Sequence, residues 1–248
     1  MIASLMMYRR PELAGVHNRY WALIRQNLTE AGIDSPAELS QEAEEFNVWQ
    51  HPELVLSQTC GMPYRIWLHD RVALVGTPDF NLQDCPPGYY RSAIIVRADD
   101  PRKHIEEFRD AVFAYNQTFS QSGYAAPYWH VIPEGFWFEN RLHTGQHLIS
   151  ARAVAENRAD IAALDGVSWR FMQEYEQFAS ALRVLQWTSP TPGLPLITAK
   201  SADPQKIFGA VERAINQLRR NDREKLGLAG IVRIPQADYL AIPNPPAD

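Results

Sequence analysis

Cysteine is nearly missing from this chain. Cys60 and Cys85 are the only two, and neither lies in a CxxC pair or a Cys/His set with zinc spacing. A disulfide scaffold and a structural zinc site are therefore excluded. The two thiols could pair if the protein is exported, and would stay reduced in a cytosol. A basic excess is missing as well: 24 Lys and Arg stand against 29 Asp and Glu, for a net charge of −5. Nucleic-acid binders concentrate positive charge on one face, so that class is disfavoured. The nearest basic run, Arg219, Arg220, Arg223 and Lys225, is diluted by Asp222 and Glu224 and reads as a solvated helix end. No apolar run approaches the roughly 18 residues that span a bilayer. Internal repeats, low-complexity tracts and long linkers are also lacking.

The first eight residues are apolar, but Arg9 and Arg10 follow them rather than precede them. A secretory signal needs a basic start, an apolar stretch of roughly 7–15 residues and a small-residue cleavage site. The segment reads as the first strand of the fold. The chain is thus expected to be soluble and, lacking a visible export signal, cytoplasmic.

What is present is ordinary globular material, with 46 % hydrophobic and 21 % charged residues, enough to bury a core. Strand and helix patterns alternate. Residues 3–7 suggest a strand. Pro11 then opens a helix carrying Leu13, Val16, Tyr20, Leu23, Ile24 and Leu28 at spacings of three and four, which Gly32 ends. Ser35 and Glu38 have capping-box spacing and predict a second helix. Further strands are expected over 53–57, 71–76 (closed by Thr77 and Pro78), 92–96, 111–115, 136–142, 160–164, 182–187 and 194–198. Helices are expected over 121–130, 146–156, 167–175 and 204–218. This rhythm predicts α/β architecture with mostly parallel sheets. The tail from Ile242 onward, rich in proline, reads as loose.

In open α/β sheets ligands bind beyond the carboxyl ends of strands, where loops enter helices. Several such loops carry polar groups. Asn116 is followed by Ser120, Gln121, Ser122 and Gly123 at a helix start, where unpaired N–H groups favour anions. Either serine is also a plausible helix cap. Thr144 and His147 gather at the next helix start, with a structural histidine as the alternative. Asp165 precedes Trp169 after another strand. As a carboxylate beside an oxyanion it would select a protonated or amine-bearing ligand, or else simply cap its helix. Gln58, Thr59 and Tyr90 sit in two further loops, Tyr90 being equally readable as aromatic core.

Taken in order, Leu56 to Gly61, Val72 to Pro78, Tyr90 to Val96, Asn116 with Ser120 to Tyr124, Thr144 to His147 with Ser150, Ala159 to Asp165 with Trp169, and Thr188 with Pro192 to Pro195 resemble a known family. It is the phosphate/phosphite/phosphonate-binding family of ABC-transporter substrate-binding proteins, of the periplasmic-binding-protein type 2 fold. The resemblance implies two α/β lobes with mixed, mostly parallel sheets and a two-strand hinge. Residues 1–92 plus 187–248 would form lobe one, and 93–186 lobe two. It implies that a small oxyanion, phosphate- or phosphonate-like, binds in the cleft between them. The implied contacts are Gln58, Thr59, Tyr90, Asn116, Ser120, Gln121, Ser122, Thr144, His147, Asp165 and Trp169. No cofactor, metal or catalytic residue is implied, and the natural partner is an ABC permease. The family is periplasmic, against the missing signal. Two alternatives stand beside this reading: a cytosolic enzyme of the same fold acting on a small carboxylate or phosphorylated metabolite, with His147 and Asp165 as acid and base, and a sensory module.

Overall fold

A computed structural model describes residues 1–246. The strands in chain order are β1 (Ile2–Ser4), β2 (Leu54–Gln58), β3 (Val72–Asp79), β4 (Tyr89–Tyr90), β5 (Ser92–Arg97) and β6 (Phe113–Tyr115). They continue with β7 (Arg141–His143), β8 (Ile161–Asp165), β9 (Leu182–Trp187), β10 (Thr191–Pro192), β11 (Leu196–Ala199) and β12 (Gly230–Val232). Among the described residues the chain divides into two compact units, Met1–Tyr89 with Pro192–Ile242, and Tyr90–Thr191 with 243–246. It passes from one to the other within β4 and returns within β10, and these two short strands form a two-stranded sheet of their own.

The first unit is built on a five-stranded sheet of order β1-β2-β11-β3-β12. β1 and β2 are parallel, while β11 runs antiparallel to β2 and β3, and β12 antiparallel to β3. Successive strand residues point to opposite faces. Leu196 accordingly enters one core with helices Ala14–Glu30 and Pro204–Gln217, and Ile197 enters another with Trp49, Tyr64 and Tyr239. Val16, Tyr20, Ile24 and Leu28 meet Ile207, Val211, Ala214 and Ile215, so the three-and-four spacing becomes a buried stripe. Asp203 caps the second of these helices by accepting from the N–H groups of Gln205 and Lys206, with Pro204 in its first turn.

The second unit has sheet order β7-β6-β8-β5-β9. β6 is parallel to β7 and β8, and β5 is antiparallel to β8 and β9. Both faces are covered, which is why residues 93–96 and 161–164 read as unbroken apolar runs. Ala93, Ile95, Ala162 and Leu164 pack with helix His147–Ala155, and Ile94, Val96, Ile161 and Ala163 pack with Phe108, Val131, Phe136 and Phe138.

Several sequence expectations need correction. The sheets are mixed rather than mostly parallel: in the two five-stranded sheets three pairings are parallel and five antiparallel, because β5, β9, β11 and β12 run against their neighbours. The helix expected from Ser35 does not form. Ser40 N–H donates to the carbonyl of Ala3, and the Gln41 side chain accepts from Ser4 Oγ and Leu5 N–H, so tertiary bonds to the β1 region take that segment. The helix instead spans Glu45–Trp49. The strand expected over 136–142 shrinks to β7, because the alternation at Phe136 and Phe138 reflects aromatic packing: the Phe138 ring stacks on Phe113 at 4.8 Å. Thr77 and Pro78 lie inside β3, where Pro78 pairs with Ile231 of the unforeseen β12, rather than closing the strand. The basic run is a separate helix, Arg220–Leu226, anchored by Arg19, whose guanidinium donates twice to the buried Asp222 at 2.9 and 2.6 Å. After β1 the chain turns into a 3-10 helix, Met6–Tyr8, instead of staying extended. The tail is held at its start, where Trp129 Nε1–H donates to the carbonyl of Pro243 at 3.0 Å.

Candidate functional site

The polar groups of the second unit gather at the carboxyl ends of β6 and β7. The pairing of these parallel strands continues past them, since Thr144 N–H donates to the Tyr115 carbonyl and Gly145 N–H to the Asn116 carbonyl. The loops that follow are thus held side by side. After β6 the chain enters a widened π-type turn, Gln121–Ala125, that runs on into helix Ala126–Val131. Such turns are uncommon and often mark functional sites. Ser120 caps it, with Oγ accepting from Gly123 N–H at 3.0 Å. The cap reading of Ser120 is therefore correct as local structure.

Ser122 plays a different part. Its Oγ lies 2.9 Å from His147 Nε2, and His147 is the first residue of the helix after β7. One hydrogen bond thus ties together two helix starts. His147 is half-buried as a residue, and its Nδ1 is enclosed. Burial lowers the His147 pKa to about 4, with the nearby Ala163 backbone opposing the shift in part. The ring is consequently neutral at physiological pH. Asn116 stands beside it: a Cβ placed on Gly123 would fall 1.9 Å from Asn116 Oδ1 and 3.1 Å from His147 Cε1. Gln121 is buried in the same turn.

Other predicted residues are occupied with structure. The Thr144 hydroxyl faces inward, 2.6 Å from Ser150 Oγ and 2.9 Å from the Tyr115 carbonyl. Asp165 caps helix Gly166–Tyr175, with Oδ1 accepting from Val167 and Ser168 N–H at 2.8 and 2.9 Å. Trp169 is 2 % exposed and packs in the apolar core with residues of helix His147–Ala155. Tyr90 is buried in β4. Gln58 and Thr59 belong to the first unit, at the carboxyl end of β2. Gln58 Nε2–H donates to the Leu194 carbonyl at 3.1 Å, and Thr59 N–H to that of Pro195.

Sequence reasoning missed the Ser122–His147 pair and the packing of Asn116 on Gly123. Both join residues from separate loops or from distant places in one loop, and no spacing rule signals them. Among the described residues no group of three His, Cys, Asp or Glu side chains is placed to hold a metal ion, and no helix is long and apolar enough to cross a membrane. Cys60 is buried and Cys85 half-buried, and no disulfide joins them.

The arrangement presents hydroxyls, a neutral imidazole and turn N–H groups at parallel strand ends. Solved structures share this fold. PhnD1 from Prochlorococcus marinus in complex with methylphosphonate superposes with a TM-score of 0.72 at 11 % identity, covering 96 % of this chain and 94 % of that one. A binding-protein component of an ABC phosphonate transporter from Pseudomonas aeruginosa gives 0.69 at 14 % identity, covering 97 % and 82 %. XAC2383 from Xanthomonas citri bound to ATP gives 0.70 at 15 % identity, covering 96 % and 91 %. The fold is therefore the mixed α/β periplasmic-binding-protein type 2 fold. A comparison with curated protein sequences gave no match. Residues 78–239 match the profile of the family described as ABC transporter, phosphonate, periplasmic substrate-binding protein. That match spans well over half of the sequence, and the chain belongs to this family of periplasmic substrate-binding proteins.

Proposed function

We propose that this protein binds a small phosphonate- or phosphate-like oxyanion at the carboxyl ends of β6 and β7, as the solute-binding component of an ABC uptake system. The observation that carries the reading is the 2.9 Å Ser122–His147 contact, which holds two helix starts together around hydroxyl and N–H donors. Hydrogen bonds to a charged ligand are stronger than neutral ones, so a few oriented donors suffice. Ser120, Gln121, Ser122, Asn116 and His147 would form the donor set, with Thr144 in a lesser part because its hydroxyl is engaged by Ser150 and the Tyr115 carbonyl. Asp165, a carboxylate at the same sheet edge, would bias the choice toward ligands carrying a proton or an ammonium group. Tyr90 and Trp169 would take lesser parts, Trp169 from behind the site. Gln58 and Thr59 would contribute a smaller share, because the Gln58 side chain already holds the Leu194 carbonyl.

Family membership supports a small-molecule ligand and a permease partner. The Ser122–His147 pair also argues for binding over catalysis. A serine nucleophile needs its histidine oriented by a third group at Nδ1, and here Nδ1 has no such carboxylate. The test is a thermal-shift screen with phosphate, phosphite, methylphosphonate, 2-aminoethylphosphonate, sulfate and aromatic carboxylates. A ligand at about 100 times its Kd adds ~2.7 kcal/mol of stability. A clear shift with a phosphorus oxyanion supports the proposal. A shift with larger carboxylates alone would overturn it in favour of the enzyme.

A further inference from the structure

Asn116 and Gly123 pose a packing problem. The carboxamide Oδ1 of Asn116 is enclosed and accepts no conventional hydrogen bond. Gly123 does not have the positive φ that calls for glycine, yet a methyl group there would collide with that same oxygen at 1.9 Å. The glycine is present for space. With only hydrogens on its Cα, it lets the oxygen approach along the direction a side chain would take. This is the arrangement of a Cα–H···O contact, which forms at carbon–oxygen separations of about 3.3–3.6 Å. Turning the amide over would press N–H hydrogens against C–H hydrogens, so the contact sets the orientation of the group. Nδ2 is not enclosed with Oδ1 and makes no hydrogen bond among the described residues.

We propose that Asn116 serves the site as a one-sided hydrogen-bond donor, its carboxamide turned by Gly123 so that Oδ1 is spent on the glycine and Nδ2 faces the oxyanion. This rests on the oxyanion reading above and adds an orienting residue and a named donor atom. The consequence is chemical. An asparagine free to flip offers a donor or an acceptor and so tolerates either protonation state of a ligand oxygen. A fixed one offers only donors and favours an unprotonated oxygen at that position.

Calorimetric titration of methylphosphonate and phosphate into the full chain tests the inference. Asn116→Ala, which loses the donor without adding charge, should weaken binding about 10- to 100-fold, the scale of a lost hydrogen bond to a charged group, and Asn116→Asp by more, because it also sets a negative charge beside the anion. Gly123→Ala displaces the end of Asn116 rather than backbone, with the His147 ring giving by a few tenths of an ångström, and should weaken binding comparably. The double variant Asn116→Ala with Gly123→Ala should bind no worse than Asn116→Ala alone, because the two residues act as one unit. If Gly123→Ala does not fold, Asn116→Asp and Asn116→Ala carry the test. Near-parental affinity in Asn116→Ala, while Ser122→Ala is impaired, would overturn this inference and leave the oxyanion reading standing. Additive losses in the double variant would also overturn it. Failure of the parent protein to bind any phosphorus oxyanion would remove the oxyanion reading itself.

Discussion

The two units present the same topological feature, the carboxyl ends of parallel strands, and use it differently. At the end of β2 in the first unit the polar groups are spent on the chain. Gln58 holds the Leu194 carbonyl, its own carbonyl accepts from Trp49 Nε1–H, and Thr59 N–H bonds Pro195. At the ends of β6 and β7 in the second unit, Asn116 Oδ1 and His147 Nδ1 are enclosed without conventional partners. Buried polar atoms are nearly always satisfied in native proteins, so unsatisfied ones need a reason. The difference teaches that location at a strand end is permissive: the first unit's groups are committed to the chain, whereas the Ser122–His147 pair of the second holds donors where a ligand could take them.

The largest expected effect breaks the comparison on its binding side. Ser122→Ala removes a hydroxyl that both contacts His147 and would face the ligand, and should cost about 1.5–3 kcal/mol of binding free energy, or roughly 10- to 100-fold in Kd. Unchanged affinity for every oxyanion tested would move the site elsewhere. Asp165 comes next. Asp165→Ala strips the cap from helix Gly166–Tyr175 and should lower stability by about 1–2 kcal/mol in denaturant melts. Asp165→Asn keeps a good capping residue and should lose much less. A reordering of ligand preference in Asp165→Asn, at little cost in stability, would establish selection alongside capping.

Most of the fold was legible because its signals are local and periodic. The stripe from Val16 to Leu28 and the runs at 93–96 and 161–164 announced a helix and doubly buried strands. Legibility failed where tertiary partners override local preference. Ser35 and Glu38 have capping spacing, yet Ser40 and Gln41 are drawn into bonds with the β1 region. The alternating Phe136 and Phe138 mimic a strand because they fill an aromatic cluster. At the site, residue types were readable but commitments were not. Nothing in the sequence says that Thr144 turns inward to Ser150, or that Trp169 lies in the core, since both depend on which element packs behind them.

A titration sharpens the comparison further. His17 in the first unit and His147 in the second both have a pKa lowered to about 4, with burial as the main cause. The unfolded chain takes up protons near pH 6.5, so between about pH 6.5 and 4 it binds more protons than the folded one. Stability should therefore be full above about pH 6.5 and fall as pH drops toward 4. His17→Gln and His147→Gln should each flatten that slope in pH-dependent melting. Only the second should also weaken oxyanion binding at neutral pH. Equal binding losses from both would mean that the histidines act through general stability, and the contrast between the units would lose its meaning.

The smallest effect tests the structural side. Gln58→Leu removes a buried donor and strands the Leu194 carbonyl, so it should cost about 1–3 kcal/mol of stability, less whatever the extra apolar packing returns. Its effect on oxyanion affinity should be under about threefold, since less than 0.7 kcal/mol of binding is at stake where the amide already has a partner. Equilibrium unfolding and titration on one preparation separate the two quantities. A loss of affinity as large as that of Ser122→Ala, with stability intact, would show that the first unit's strand end holds ligand as directly as the second's. Internal satisfaction of a polar group would then be no guide to its function here.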